Sequence, residues 1–86
     1  KAAALGNGSA MNSLGMASEE KKDYTAAVQW YRKAIEKGHP GATGNLAYCY
    51  ETGRGTPKDT TKALEYYRKA ADLGNKFAKD ALKRLE

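Results

Sequence analysis

Few side chains in this sequence could carry out catalysis. His39 is the single histidine and Cys49 the single cysteine. His39 stands between Gly38 and Pro40, where a residue at a helix boundary is a simpler interpretation than a general base. Cys49 lies in an apolar pattern that predicts burial, and the chain has no second cysteine that could share a metal ion with it. We therefore predict no catalytic, metal-binding or cofactor-binding residue.

Two short motifs are compatible with ligand chemistry. Residues 53–58 read Gly-Arg-Gly-Thr-Pro-Lys, but this loop lacks the Gly-Lys-Ser/Thr ending and the preceding strand of a phosphate-binding loop. Asn7-Gly8-Ser9 fits the acceptor pattern for N-glycosylation, which matters only in a secretory compartment. The sequence leaves both the localisation and the glycosylation of Asn7 open.

Length and charge limit the function further. The chain has 86 residues, of which 41% are hydrophobic, and a formal net charge of +5. Basic residues are spread along the whole chain and interleaved with acids, whereas a nucleic-acid footprint usually clusters on one strip. No apolar run is long enough to cross a membrane. We expect one small domain without membrane insertion, and nucleic-acid binding is an alternative only.

A repeated segment determines the architecture. Residues 27–38 and 63–74 carry nearly the same pattern 36 positions apart. In each copy the apolar residues fall three and four positions apart, so each copy is predicted to be an amphipathic helix. A glycine ends each copy, and Asp23 and Asp59 stand ahead of them as N-caps.

Further helices are predicted before and after these copies, over residues 8–20, 40–53 and 75–86. Their inward faces are predicted to carry Ala10 and Leu14, then Ala42, Leu46, Ala47 and Tyr50, then Ala78 and Leu82. Asn7 or Ser9 can cap the first of these helices. Gly15 lets a neighbouring helix come close to it.

The second half of the chain carries a family pattern. It reads Ala42-x-x-x-Leu46-Ala47-x-x-Tyr50-x-x-Gly53-x-Gly55-x-x-x-Asp59-x-x-Lys62-Ala63-x-x-Tyr66-Tyr67-x-Lys69-Ala70-Ala71-x-x-Gly74-x-x-x-Ala78. This pattern resembles the Sel1-like repeat, an α/α-solenoid relative of the tetratricopeptide repeat. The resemblance implies an all-α fold, a short right-handed superhelix of about two helical hairpins with flanking helices.

The domain organisation follows from the repeats. Residues 1–86 are predicted to be one Sel1-like fragment of a longer protein. Residues 1–6 resemble the end of the second copy and are predicted to end a preceding repeat. Residues 7–38 form a first repeat with spacing similar to a tetratricopeptide repeat, residues 39–74 form a Sel1-like repeat, and residues 75–86 form a terminal helix.

The resemblance also implies a binding surface. If Leu46 and Tyr50 face the partner helix, the opposite face of the same helix contains Tyr48. In solenoids of this kind that face commonly lines a concave groove. An aromatic ring flanked by an amide suits an extended peptide, although Tyr48 could instead simply pack on an adjacent helix. The predicted partner-binding residues are Asn12, Ser13, Met16, Asn45, Tyr48 and Thr52.

Two further sets of side chains lie beside the main apolar stripes. Trp30 and Tyr66 are predicted to seal successive repeats together. The Arg-Lys pairs at 32–33 and 68–69 are predicted to lie solvated on the outer face.

The expected function is a non-enzymatic scaffold or adaptor that binds a protein or peptide partner on the concave face, without a small-molecule substrate. The alternatives are a structural segment that associates with itself end to end, and a basic surface that binds nucleic acid.

Overall fold

Five helices form the protein in a computed structural model that describes the backbone of residues 2–85 and the side chains of residues 8–85. The helices are α1 (Ala2–Glu20), α2 (Tyr24–Glu36), α3 (Pro40–Thr52), α4 (Thr60–Asp72) and α5 (Lys76–Leu85). No strand occurs between residues 2 and 85. The predicted all-α class is therefore confirmed.

Each helix packs against the next one along the chain. Because the connections are short, neighbouring helices run in opposite directions. Helices α1 and α2 make one hairpin, α3 and α4 make a second, and α5 packs on α4. The resulting layers give an elongated body of 37 × 27 × 17 Å.

The helix ends match the capping signals in the sequence. The Asp23 carboxylate accepts a hydrogen bond from the Ala26 amide at 3.3 Å, and Asp59 does the same for Lys62 at 3.0 Å. Each side chain satisfies an amide that the first turn of its helix leaves without a partner. The predicted N-caps of α2 and α4 are thus confirmed.

Histidine caps α3. The Nδ1 atom of His39 accepts a hydrogen bond from the Ala42 amide at 3.2 Å, and Pro40 occupies the first helical position. Asn75 caps α5 in the same way, its side-chain oxygen accepting from the Ala78 amide at 3.1 Å. The prediction that His39 marks a helix boundary is confirmed.

The core interlocks small and large side chains. Gly15 lies against the Tyr31 ring so closely that a Cβ atom on Gly15 would be 2.5 Å from Cε1 of the ring. The inward residues predicted for α3 are all buried. The fully buried side chains are Ala27, Tyr31, Ala34, Ala42, Leu46, Ala47, Cys49, Ala63, Tyr67, Ala70 and Ala78.

The inward face predicted for α1 is wrong. Ala10 is exposed and Leu14 is 45% exposed. Leu46, the counterpart of Leu14, is buried because α3 lies between α2 and α4, whereas α1 packs mainly against α2. The side of α1 that faces the core carries Met11 and Gly15 instead.

The predicted start of α1 is also wrong. The helix begins at Ala2 and runs without interruption through the segment where a cap at Asn7 or Ser9 was expected. Within an uninterrupted helix the backbone amides that such a cap would serve are already hydrogen-bonded, so no capping side chain is needed there. The assignment of residues 1–6 to a preceding repeat stays a prediction.

Candidate partner-binding site

A pair of amides joins the first helices of the two hairpins. Asn45 on α3 donates a hydrogen bond from Nδ2 to Oδ1 of Asn12 on α1, at 2.9 Å. Asn12 in turn donates from its own Nδ2 to the sulfur of Met16 at 3.5 Å. Met16 is 52% exposed. The structure therefore brings three of the predicted binding residues into one polar and apolar surface.

An aromatic pair continues this surface onto α5. The rings of Tyr48 and Phe77 meet edge to face, with centroids 6.4 Å apart, and Phe77 is 47% exposed. Gly44 makes room for the start of α5, because a Cβ atom there would lie 2.9 Å from Nδ2 of Asn75, the residue that caps α5. Half-buried Tyr48 thus packs on an adjacent helix and still presents part of its ring.

The two remaining predicted residues are peripheral. Thr52 is exposed, and its hydroxyl donates to the Tyr48 carbonyl at 2.9 Å, within its own helix. Ser13 is exposed on α1. The front of the surface is therefore described without these two residues.

We call the contiguous surface formed by Met16, Asn12, Asn45, Tyr48 and Phe77 the front strip. It crosses α1, α3 and α5, the first helix of each successive unit. Apolar side chains lie at its two ends and amides lie between them. Such a surface can bury a partner's apolar side chains and exchange hydrogen bonds with its backbone.

An arginine from the loop after α3 borders the front strip. The Cζ atom of Arg54 lies 5.1 Å from the Tyr24 ring centroid and 5.2 Å from the Tyr48 ring centroid. Its Nη1 atom forms an ion pair with Oε2 of Glu19 at 3.3 Å. Gly55 lets the loop approach α2, because a Cβ atom there would lie 2.2 Å from the Tyr24 carbonyl oxygen.

Two buried tyrosines donate hydrogen bonds from their hydroxyl groups to glutamates. Tyr31 donates to Glu19, and Tyr67 donates to Glu51 at 2.7 Å. Burial, together with the adjacent carboxylate, raises the pKa of both phenols. Both phenols therefore stay protonated and act as structural donors.

Glu51 is also held by an arginine of α5. Arg84 donates to its two carboxylate oxygens at 2.6 and 3.3 Å. The hydrogen bonding from Arg84, together with the hydrogen bond from Tyr67, lowers the pKa of Glu51, although burial acts in the opposite direction. The carboxylate consequently remains charged and joins α3, α4 and α5.

The groups that could have done chemistry are engaged in structure. Burial, and then the negative charge of Glu19, raises the pKa of Cys49 to about 12, so the thiol stays protonated near neutral pH. Among the residues with described side chains, no group of three or more His, Cys, Asp or Glu is placed to hold a metal ion. No helix within residues 2–85 has the length and apolarity needed to span a bilayer.

The two aromatic residues beside the main stripes, Trp30 and Tyr66, make different contacts. Tyr66 stacks on Tyr50 within the same hairpin, with centroids 5.5 Å apart and the planes 8° from parallel. In the first repeat, Ser18 occupies the position that corresponds to Tyr50 in the second. The Nζ atom of Lys33 lies 5.2 Å from the centroid of the Trp30 ring. The expectation that these two rings seal successive repeats stays a prediction.

One predicted surface arginine makes a contact between the two hairpins. Arg32 on α2 donates from Nη2 to the Tyr50 hydroxyl on α3 at 2.9 Å. The arginine is exposed, as the sequence indicated, but it also links the two units.

Sequence reasoning missed two residues of this site, Phe77 and Arg54. Phe77 lies outside the apolar stripe formed by Ala78 and Leu82, and a large ring off the stripe is a usable signal for surface contact. Arg54 carried no such signal, because its contacts with Tyr24 and Glu19 join it to residues that are distant in sequence.

Comparisons with known proteins agree with this architecture. The family model described as Sel1 repeat matches the chain twice, over residues 8–39 and 40–75. The crystal structure of a Sel1 repeat protein from Oxalobacter formigenes is similar with a TM-score of 0.82 and 39% sequence identity. That match covers 95% of this chain and 65% of the other. The predicted solenoid is confirmed.

Two curated relatives match a shorter segment. Both carry the name DAP3-binding cell death enhancer 1. The protein from Rattus norvegicus is 43% identical over 49 residues, which is 57% of this chain and 10% of the rat protein. The protein from Mus musculus is 43% identical over 47 residues, which is 55% of this chain and 9% of the mouse protein. The matched segment spans about a tenth of these relatives.

Proposed function

This chain belongs to the Sel1 repeat family, and from that premise we propose that it is a non-enzymatic scaffold that binds a protein or peptide partner along the front strip. Sel1 repeat proteins generally serve as scaffolds for protein interactions. The names of the rat and mouse relatives describe proteins that bind another protein, DAP3. They support a protein as the class of partner.

The continuity of the front strip across three helices is the observation that carries this proposal. The hydrogen bond between Asn45 and Asn12 and the contact of Tyr48 with Phe77 join side chains that are far apart in sequence. An extended peptide lying across the helices could touch each of them. Half-buried Tyr48 would be a rigid anchor, since its ring is already held on one side and loses little freedom on binding.

The positions of the reactive residues support a non-enzymatic role. His39 uses Nδ1 to cap α3, and the buried Cys49 thiol is protonated near neutral pH. Neither side chain is therefore free to act as a base or nucleophile while the helices are intact.

The experiment uses peptides selected by the protein from a displayed random library. We expect the double variant Asn45→Ala with Tyr48→Ala to weaken binding of these peptides by about tenfold or more, since it removes an aromatic anchor and an amide. Fluorescence anisotropy measures the affinity, and circular dichroism checks that the variant remains helical.

The matched control is Gln29→Ala with Glu65→Ala, two exposed positions on α2 and α4. This control is expected to bind as the unmodified protein does. Equal affinity of the Asn45/Tyr48 variant and the unmodified protein would reject the front strip as the binding surface.

A further inference from the structure

Arg54 is held in a fixed orientation at the edge of the front strip. The Cζ atom of its guanidinium contacts the rings of both Tyr24 and Tyr48, at 5.1 and 5.2 Å from their centroids. The loop that carries it is held against α2 by the close approach of Gly55 to the Tyr24 carbonyl. A guanidinium positioned in this way loses little side-chain freedom when it binds an acceptor.

The same guanidinium retains unused donors. An arginine side chain has five N–H groups, and among the described side chains only Glu19 accepts from Arg54, through Nη1. The side chain is 38% exposed. Donors on the remaining edge can therefore reach a ligand that lies on the strip beside Tyr48.

The charges around this edge favour an acidic ligand. Two glutamates on the helices of the strip are already paired with arginines, Glu19 with Arg54 and Glu51 with Arg84. Lys58, four residues after Arg54 in the same loop, contributes a positive field that lowers the pKa of Glu51 after the larger effects of Arg84 and Tyr67. The rim of the strip thus carries positive charge that these two carboxylates do not fully balance.

We propose that Arg54 determines the specificity of the front strip by selecting peptides that carry a carboxylate close to an apolar or aromatic side chain. The carboxylate accepts charge-assisted hydrogen bonds from the free edge of Arg54, and the apolar side chain packs on Tyr48 and Phe77. This inference rests on the proposed peptide-binding function. A polyanion without apolar groups would leave the apolar ends of the strip uncovered.

The experiment compares the residue preferences of the protein and of Arg54→Gln in selection from a random dodecapeptide library. The peptides selected by the unmodified protein are expected to be enriched in Asp or Glu within about two positions of an apolar residue, the reach of neighbouring side chains on an extended strand. Those selected by Arg54→Gln should lose the acid and keep the apolar residue. Lys37→Gln, at an exposed position at the end of α2, removes the same charge elsewhere and should change neither preference.

A cycle of substitutions then locates the contact. On the unmodified protein, replacing the peptide's acid by its amide should weaken binding by about tenfold, whereas on Arg54→Gln the same replacement should have little effect. If Arg54→Gln is not helical by circular dichroism, the side-chain Nε–H resonance of Arg54 in the unmodified protein replaces it. That resonance should shift with the acidic peptide and stay unchanged with the amide peptide.

The outcomes separate the two proposals. Selection without acid enrichment, or an equal effect of the amide peptide on both proteins, overturns the role of Arg54 and leaves the strip as a binding surface. Acid-dependent binding that survives the Asn45/Tyr48 double variant overturns the strip itself. Failure to enrich any peptide, or binding of a random RNA in preference to peptides near 0.1 M salt, overturns both.

Discussion

Glutamates at the ends of α1 and α3 illustrate how single residues hold this fold together. Each accepts a hydrogen bond from a fully buried tyrosine of the next helix and forms an ion pair with an arginine further along the chain. A buried phenol hydroxyl without an acceptor would cost stability. One carboxylate therefore accepts the hydrogen bond of the buried hydroxyl and, through the arginine, links its hairpin to the following segment. The two sets are Glu19, Tyr31 and Arg54, and Glu51, Tyr67 and Arg84.

Gly55 and Gly74 both have a positive φ angle, but we predict that they differ in how well they tolerate substitution by alanine. Gly55 and Gly74 have φ angles of +74° and +94°. A Cβ atom at Gly55 would lie 2.2 Å from the Tyr24 carbonyl oxygen, while at Gly74 it would meet nothing within 4 Å. We expect Gly74→Ala to cost about 1 to 2 kcal/mol for the left-handed conformation alone. Gly55→Ala should cost about 1 to 3 kcal/mol more, because backbone must move.

Urea unfolding followed by circular dichroism measures both variants. Gly74→Ala is the control for the conformational cost. The difference in unfolding free energy between the two variants therefore measures the cost of the close approach of the loop to α2. Equal losses of stability in the two variants would contradict this interpretation of the loop.

Capping and turn residues largely determine where the helices begin. Asp23, Asp59 and Asn75 cap α2, α4 and α5 through side-chain oxygens, whereas α3 uses an imidazole nitrogen. Pro40 supports that start, because its fixed φ suits the first helical position and its missing N–H costs no hydrogen bond there. Each of these caps lies in the connection between two neighbouring helices.

The cap of α3 gives a prediction about stability. His39→Ala removes the acceptor for the Ala42 amide and should destabilise the protein by about 1 kcal/mol. His39→Asn supplies an oxygen acceptor at the same position and is expected to retain or increase the stability of the unmodified protein. The midpoint of thermal unfolding measures both changes. A loss in the asparagine variant as large as in the alanine variant would show that the imidazole has another role.

The whole molecule is a short stack in which each unit contacts its sequence neighbours. Stability in such arrays is close to a sum of repeat and interface contributions. At about 0.05 to 0.15 kcal/mol per residue, the chain is held by about 4 to 13 kcal/mol. A single hydrogen bond or ion pair between units therefore contributes a sizeable part of the total free energy of unfolding. Glu51 takes part in such interactions, because it joins α3, α4 and α5.

The pH dependence of unfolding should report the Glu51 link. The pKa of Glu51 is lowered in the folded protein by the hydrogen bond from Arg84 first and then that from Tyr67, against the opposing effect of burial. A lowered folded pKa contributes stability that is present above the ordinary glutamate pKa of about 4.3 and lost as the pH falls through the folded value. Glu51→Gln lacks this contribution.

We expect Glu51→Gln to be less stable than the unmodified protein by about 1 kcal/mol at pH 7, with the difference shrinking as the pH falls below about 4. Urea unfolding at a series of pH values measures it. Glu65→Gln removes an exposed glutamate of α4 and is the control for loss of one negative charge. A stability difference for Glu51→Gln that is the same at pH 7 and pH 3 would contradict the prediction.

The amino-acid pattern by itself determined helices α2 to α5, the caps of α2 and α4, and the buried face of the repeated segment. These features depend on interactions within a few residues: periodicity places Tyr67 and Ala70 on one stripe, and Asp59 caps the helix that immediately follows it. The pairing of Asn45 and Tyr48 on one face of α3 followed from the same geometry.

Only the tertiary structure decided which face of a helix is covered and which distant side chains meet. Leu14 and Leu46 occupy equivalent places in sequence, yet one is exposed and the other buried, because α3 has neighbours on both sides and α1 packs mainly on one. Arg54 meets Tyr24 and Glu19 only because the loop after α3 folds back across the preceding hairpin. Contacts between residues about 30 positions apart depend on how whole helices stack, and local sequence pattern does not carry that information.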